Sequence, residues 1–395
     1  AGASGLAAIK QCVEEGLDVV CFDQEPHVGG LWRYVPHREG EEPHSSVYQS
    51  TIINTSKEMM SYSDFPVPKE WPTFLPHRFV AKYLNLYCDN FDLRKHIKFN
   101  RKVVTVTPQM GPEGHNGRWE VVTQKVRRKT TGSKCETFDY VVVATGHHWK
   151  PRLPDFPGMP EFRGNMMHSH SYKVPYPFKD QRFLIVGVGN SGADIATELS
   201  HHAKQVILSA RTGTWILPRF TLFGIPLDHL SSRAANAVPK SISTFAFESI
   251  MRLQTGNLQS FGLKPEHHIF EAHPTVNGEV LNRIGAGKVL VRPNVDRFSG
   301  PREVTFTDGS RETIDAVVYC TGYRIEHPFL DSASILGQEI PTSNQIRLHK
   351  HVFPLHHRNI AFVGLVQPIG AIMPVAEMQA RWVARVFSGA AAPLP

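Results

Sequence analysis

The stretch Phe183-Leu-Ile-Val-Gly187-Val-Gly189-Asn190-Ser191-Gly192 constrains the fold of this chain more than any other. Four apolar residues in a row read as a buried strand, and the glycines after them let the backbone come close to a pyrophosphate. A helix then follows, whose first N–H groups point at the anion. The expected unit is a strand from Gln181, the turn, a helix over Ser191 to His202, and a second strand over Gln205 to Ala210. Gly187, Gly189, Asn190, Ser191, Gly192, Ala193 and Asp194 are its candidate nucleotide contacts. The second strand runs into Arg211-Thr212. A cation there suits a 2′-phosphate, hence NADP rather than NAD; otherwise Arg211 is a surface arginine.

A related pattern opens the chain. Gly2-Ala3-Ser4-Gly5 leads into a helix over Leu6 to Glu15, which Gly16 ends, and Asp18 to Phe22 read as a strand. Asp23 follows about 20 residues after the glycines, where a carboxylate accepts hydrogen bonds from an adenosine ribose. Its alternative is a solvated strand end. The first strand and first glycine of this turn are missing, so the chain is expected to begin inside its own motif, as a fragment at that end. Gly29-Gly30-Leu31-Trp32 permits close backbone approach to a ligand and adds a flat wall in Trp32. Asn54, in Asn54-Thr55-Ser56-Lys57, reads on its own as a cap or turn residue.

Further along, Asn116-Gly117 signals a hairpin before Trp119 to Lys125, and Phe138 to Gly146 reads as a buried strand ending in a turn. Pro151, Pro154, Pro157 and Pro160 mark a linker. Residues 213 to 285 carry no chemical signature. Asp315 to Tyr323 repeats the Asp139 to Gly146 pattern, and Ile360 to Pro368 reads as a last apolar strand before a helix over Met373 to Phe387. The expected fold is α/β, with two Rossmann-like dinucleotide-binding domains. One is discontinuous, over 1–155 and 316–395, and the other is inserted at 156–315.

A length of 395 residues suffices for two cores, and 41% hydrophobic with 20% charged residues is ordinary for globular chains. The net charge of +7 invites a nucleic-acid partner, but apart from Lys125 to Lys129 the basic residues are scattered. Anionic dinucleotides or an anionic membrane surface account for the surplus more simply. Five cysteines without a CxxC pair point to a reducing compartment and exclude a disulfide reductase's redox pair. No apolar run approaches the roughly 18 residues of a membrane span. The His-x-His pairs lack further ligands, so no metal site is expected.

Taken together, the motifs resemble the flavin-containing monooxygenase family of class B flavoprotein monooxygenases. The resemblance rests on Phe162-x-Gly164-x-x-x-His168-x-x-x-Tyr172, Gly30-Leu31-Trp32, Asn54 to Met60, Ala144 to His148, His273 to Asn277 and Gly364 to Pro368. It implies FAD held by Gly2, Ala3, Ser4, Gly5, Asp23, Gly30, Leu31, Trp32, Asn54, Thr55 and Gln367, with NADPH on the second turn. It implies that O2 forms a C4a-hydroperoxyflavin that oxygenates amine nitrogen or sulfide sulfur, with Asn54 beside it as the catalytic residue. The substrate would be a small nucleophile. Baeyer–Villiger oxygenation stays open, although those enzymes carry Trp at the position of Tyr172; so does a truncated, non-catalytic NADP-binding form. Vertebrate members continue to an anchor in the endoplasmic reticulum. The expectation here is a cytoplasmic or peripheral chain, with membrane contact or a homodimer left open.

Overall fold

The computed structural model describes residues 1–36, 44–110, 116–126, 132–337 and 343–392. Two compact units divide them: residues 1–34, 57–150 and 323–395 form one, and residues 35–56 and 151–322 the other. The expected boundaries at 155 and 315 stand a few residues from these. The described residues between 35 and 56 differ more: the sequence places them in the first unit, and they pack with the second. Hydrogen bonds from Tyr48 to Asp194 and from Lys173 to the Ser45 carbonyl hold them there.

The second unit is built on a five-stranded parallel sheet. Its order is Val289–Arg292, Gln205–Ser209, Arg182–Val186, Ala316–Tyr319 and Asn165–His168. Alternate residues of the central strands face opposite cores. Phe183, Ile185, Val206, Leu208 and Val318 pack with the helical side, including Ala193, Ile195 and Leu199 of helix Asn190–Leu199. Leu184, Val186, Ile207, Val317 and Tyr319 pack against Phe298, Val304 and Phe306 of an antiparallel meander. Burial on both faces explains the unbroken apolar run that marked this strand in the sequence.

In the first unit, helix Ala3–Glu14 ends in a Schellman motif. Leu17 N–H donates to the Cys12 carbonyl and Gly16 N–H to that of Val13, with Gly16 at φ +78°. The helix packs on helix Ile372–Phe387. Two parallel pairs flank it in sequence, Cys21–Phe22 with Ile97–Lys98 and Val141–Val143 with Ile360–Phe362. The strand expected from Asp18 is confined to Cys21–Phe22. A three-stranded antiparallel sheet uses Arg101–Met110, Asn116–Lys125 and Ser133–Phe138. Asn116-Gly117 opens the middle strand, so the hairpin's turn lies outside the described residues, as does the basic run beyond Val126.

Residues 213–285 contain helices Arg233–Ala237, Lys240–Thr255 and Glu279–Gly285. This segment exposes large apolar side chains: Phe223 at 88%, Leu253 at 82% and Phe245 at 73%. No helix among the described residues is long and apolar enough to cross a membrane.

Candidate functional site

In the second unit, strand Arg182–Val186 delivers the chain to Gly187, whose φ is +103°. A Cβ there would stand 2.7 Å from the Cys320 carbonyl, and one on Gly192 would fall on the Gly187 carbonyl. Glycine is required at both for the turn to close this tightly. Gly189 is the N-cap of helix Asn190–Leu199 and supplies no side-chain cap. The first intrahelical bond is made by Ala193 N–H, to the Gly189 carbonyl. The N–H groups of Asn190, Ser191 and Gly192 are thus left at the positive end of the helix, as an anion site needs.

A loop seals the flank of this turn. Val276 N–H donates to Asn190 Oδ1 (2.7 Å), and the Thr275 hydroxyl to the Val188 carbonyl (2.7 Å). Asn277 Nδ2 donates to Asp194 Oδ1 (2.6 Å). The Tyr48 hydroxyl reaches the other oxygen, Asp194 Oδ2, at 2.8 Å. Burial raises the Asp194 pKa, opposed by these two donors and by the Arg219 cation. Arg211 is exposed just past strand Gln205–Ser209, and among the described residues it makes no hydrogen bond or ion pair.

Asn54 belongs to this unit. Its Oδ1 accepts from Arg219 Nη2 at 2.9 Å. Two residues on, Ser56 N–H donates to Asp228 Oδ2 (2.7 Å), and the Ser56 hydroxyl lies 3.1 Å from His229 Nε2. Lys173, 3% exposed, puts its ammonium on the carbonyls of Ser45 (2.7 Å) and Val47 (3.1 Å). Burial pulls its pKa down to about 8, and among the described residues no carboxylate pairs with it. The segment Ser45–Ser56 is therefore a strap tied at both ends. Sequence reading missed Tyr48, Lys173, Arg219, Asp228 and His229, since no local pattern marks contacts made across such separations.

Phe162, His168 and Tyr172 of the sequence motif are all buried. A Cβ on Gly164 would press on the Phe162 ring, which meets Phe298 edge-on at 5.1 Å. Burial drives the His168 pKa down to about 4. The Tyr172 hydroxyl donates to Glu198 Oε2 at 2.6 Å.

In the first unit, the N-terminal turn gathers its expected residues. Gly2 caps helix Ala3–Glu14 without a side chain, and a Cβ on Gly30 (φ +51°) would lie 2.8 Å from Gly2 Cα. Gly29 N–H donates to the Ala1 carbonyl, and the Asp23 carboxylate accepts from the Glu25 N–H (2.8 Å). Leu31 and Trp32, half-buried, continue from Gly30 in a single 3-10 turn. Gly364 (φ +77°) leaves no room for a Cβ beside Ser4, and its N–H donates to Gln379 Oε1 (2.8 Å). Gln367, three residues on, is exposed. Thr55 is half-buried and lies in the strap of the other unit. Both turns are cradles that a Cβ would fill, ending on uncapped helix amides, and so fit dinucleotide phosphates.

Two Rossmann-like units with a turn of this kind in each define a protein of paired nucleotide sites. The chain belongs to the flavin-binding monooxygenase-like family, whose model matches residues 1–395. It is 44% identical over 400 residues to flavin-containing monooxygenase 5 of Cavia porcellus, covering 98% of this chain and 72% of that one. Its identity to N-oxide-forming dimethylaniline monooxygenase 2 of Macaca mulatta is 38%, with the same coverage. Among solved structures, S-allyl-L-cysteine S-oxygenase from Allium sativum superposes with a TM-score of 0.74 at 26% identity, over 100% of this chain and 76% of that one. The chain is a flavin-dependent monooxygenase.

Proposed function

We propose that the chain uses NADPH and O2 to oxygenate soft nucleophiles, the nitrogen of amines or the sulfur of sulfides, with FAD at the first glycine turn and NADPH at the second. The observation that carries this reading is the pair of uncapped glycine turns, together with the exposed Arg211 guanidinium beyond the second, unpartnered among the described residues. Flavin, when bound, supplies the hydride acceptor and the chemistry with O2. The protein's part is to bind, orient and protect. Helix amides at Gly2–Ser4 and at Asn190–Gly192 hold pyrophosphates, Asp23 takes a ribose, and Arg211 selects the 2′-phosphate. Asn54 offers N–H donors to the reacting oxygen without a titrating charge, and Arg219 on its Oδ1 fixes the carboxamide's orientation.

Anaerobic NADPH should bleach the flavin of the purified holoprotein. Admitting air with a tertiary amine or a thioether should then yield N-oxide or sulfoxide by mass spectrometry. Bleaching followed by hydrogen peroxide alone would sink the oxygenase reading. The exposed Phe223, Phe245 and Leu253 support peripheral membrane contact. Co-sedimentation with liposomes, lost in a triple serine variant, tests that contact.

A further inference from the structure

Helix Asn190–Leu199 carries two carboxylates one turn apart, Asp194 and Glu198, and each receives a buried tyrosine hydroxyl: Tyr48 at 2.8 Å and Tyr172 at 2.6 Å. The two rings meet edge-on at 5.8 Å, and Tyr48 and Tyr172 are 6% and 1% exposed. Residues four apart share a helix face, so the tyrosines form one seat on the side of the nucleotide-turn helix. They differ in what they carry. Tyr172 follows a sheet strand, whereas Tyr48 stands in the strap that carries Asn54 near its far end.

Tyr48 is built into that strap at short range. Its N–H donates to Thr51 Oγ1 (3.0 Å) and Thr51 N–H returns to its carbonyl (3.0 Å), a local turn that closes at Thr51, shortly before Asn54. Gln49 N–H donates to the Lys173 carbonyl (2.9 Å). The Asp194 carboxylate is thereby joined, through one hydroxyl, to a rigid turn near Asn54.

We infer that Tyr48 is a positioning residue, which sets the place of Asn54 relative to the nucleotide-turn helix by docking its hydroxyl on Asp194. The inference rests on the reading of Asn54 as the group that serves the reacting oxygen. A hydroxyl-to-carboxylate bond in a buried site is charge-assisted, and low dielectric strengthens it. Losing it frees the strap's middle while the helix amides that hold the pyrophosphate are untouched.

The test compares Tyr48→Phe, Tyr172→Phe and Asn54→Ala in the holoprotein. In Tyr48→Phe, hydrogen exchange of peptides spanning 45–56 should accelerate about tenfold or more, the loss expected for one charge-assisted bond. NADP+ affinity should stay within about threefold, and the fraction of NADPH yielding product should fall several-fold as peroxide rises. Tyr172→Phe removes an equivalent hydroxyl from the same helix face and should leave exchange at 45–56 at the parental rate. Equal loosening by both variants would mean general loss of packing and overturn the inference, as would parental exchange in Tyr48→Phe. If Asn54→Ala keeps parental coupling, the reading of Asn54 fails instead, independently of the exchange result. Should Tyr48→Phe not fold, the parent decides: peptides 45–56 and 190–199 should lose protection together at low denaturant, and early opening of 45–56 alone overturns the inference.

Discussion

Arg219 Nη2 donates to Asn54 Oδ1 across 2.9 Å, so a cation sits on the oxygen of the one carboxamide proposed to act in the chemistry. A charge on the oxygen polarises the amide and makes its N–H groups better donors, while fixing which way they point.

Asn54→Asp separates donor capacity from shape. The aspartate keeps the size and gains an ion pair with Arg219, so folding and coenzyme binding should hold, but its N–H donors are gone. Loss of one preorganised donor typically costs about 10²–10³ in rate. The ratio of oxygenated product to NADPH consumed should fall toward zero while flavin reduction continues. A variant as tightly coupled as the parent would return Asn54 to a turn residue.

Arg211→Gln addresses coenzyme choice. The guanidinium is exposed and unpartnered among the described residues, so its removal strands nothing in the protein. Losing a charge-assisted contact of about 1.5–3 kcal/mol should weaken NADPH by roughly tenfold to a hundredfold. NADH should change little. Equal losses for both coenzymes would assign Arg211 a structural role.

Gly30→Ala should empty the first turn. Its φ of +51° disfavours a side chain, and the new Cβ would press on Gly2 Cα at 2.8 Å. Gly309→Ala is the control: φ is +81°, but nothing lies within 4 Å of the added Cβ. Both should lose about 1 kcal/mol of stability from strain, and Gly30→Ala alone should lower the flavin-to-protein absorbance ratio. Full flavin content in Gly30→Ala would exclude this cradle.

How far these features could be read from the sequence follows from their range. The turn at Gly187–Gly192 was legible because strand, glycines and helix are consecutive and each has a local physical requirement. The turn at Gly2–Gly5 was legible from its glycines and the helix that follows them, down to Gly16 ending that helix. The strap was not legible. Asn54 meets Arg219 across 165 residues and Ser56 meets Asp228 across 172, and no period or spacing predicts such pairs. The segment 213–285 looked empty because its chemistry lies in what it holds. Asp18 to Val20 had a strand's composition, yet only Cys21 and Phe22 find a partner, in Ile97 and Lys98. Pairing decides strand length; propensity alone does not.

Lys173 makes the stability contributed at the strap pH-dependent, and the sign follows from its environment. Its ammonium is buried on two carbonyls, and this burial lowers its pKa from 10.5 to about 8. Between those values the unfolded chain binds a proton that the folded chain has released, so the stability contributed at this site rises with pH across that window. A neutral amine still donates to the Ser45 and Val47 carbonyls, so the anchor survives the loss of charge. Other groups titrate over the same range, and Lys173→Met cancels them when its melting temperature is compared with the parent's at each pH. The parent should gain on the variant steadily from about pH 8 toward pH 10. A difference that stays flat would mean that Lys173 titrates as it would in water, and that the strap is open enough at this end to hydrate it.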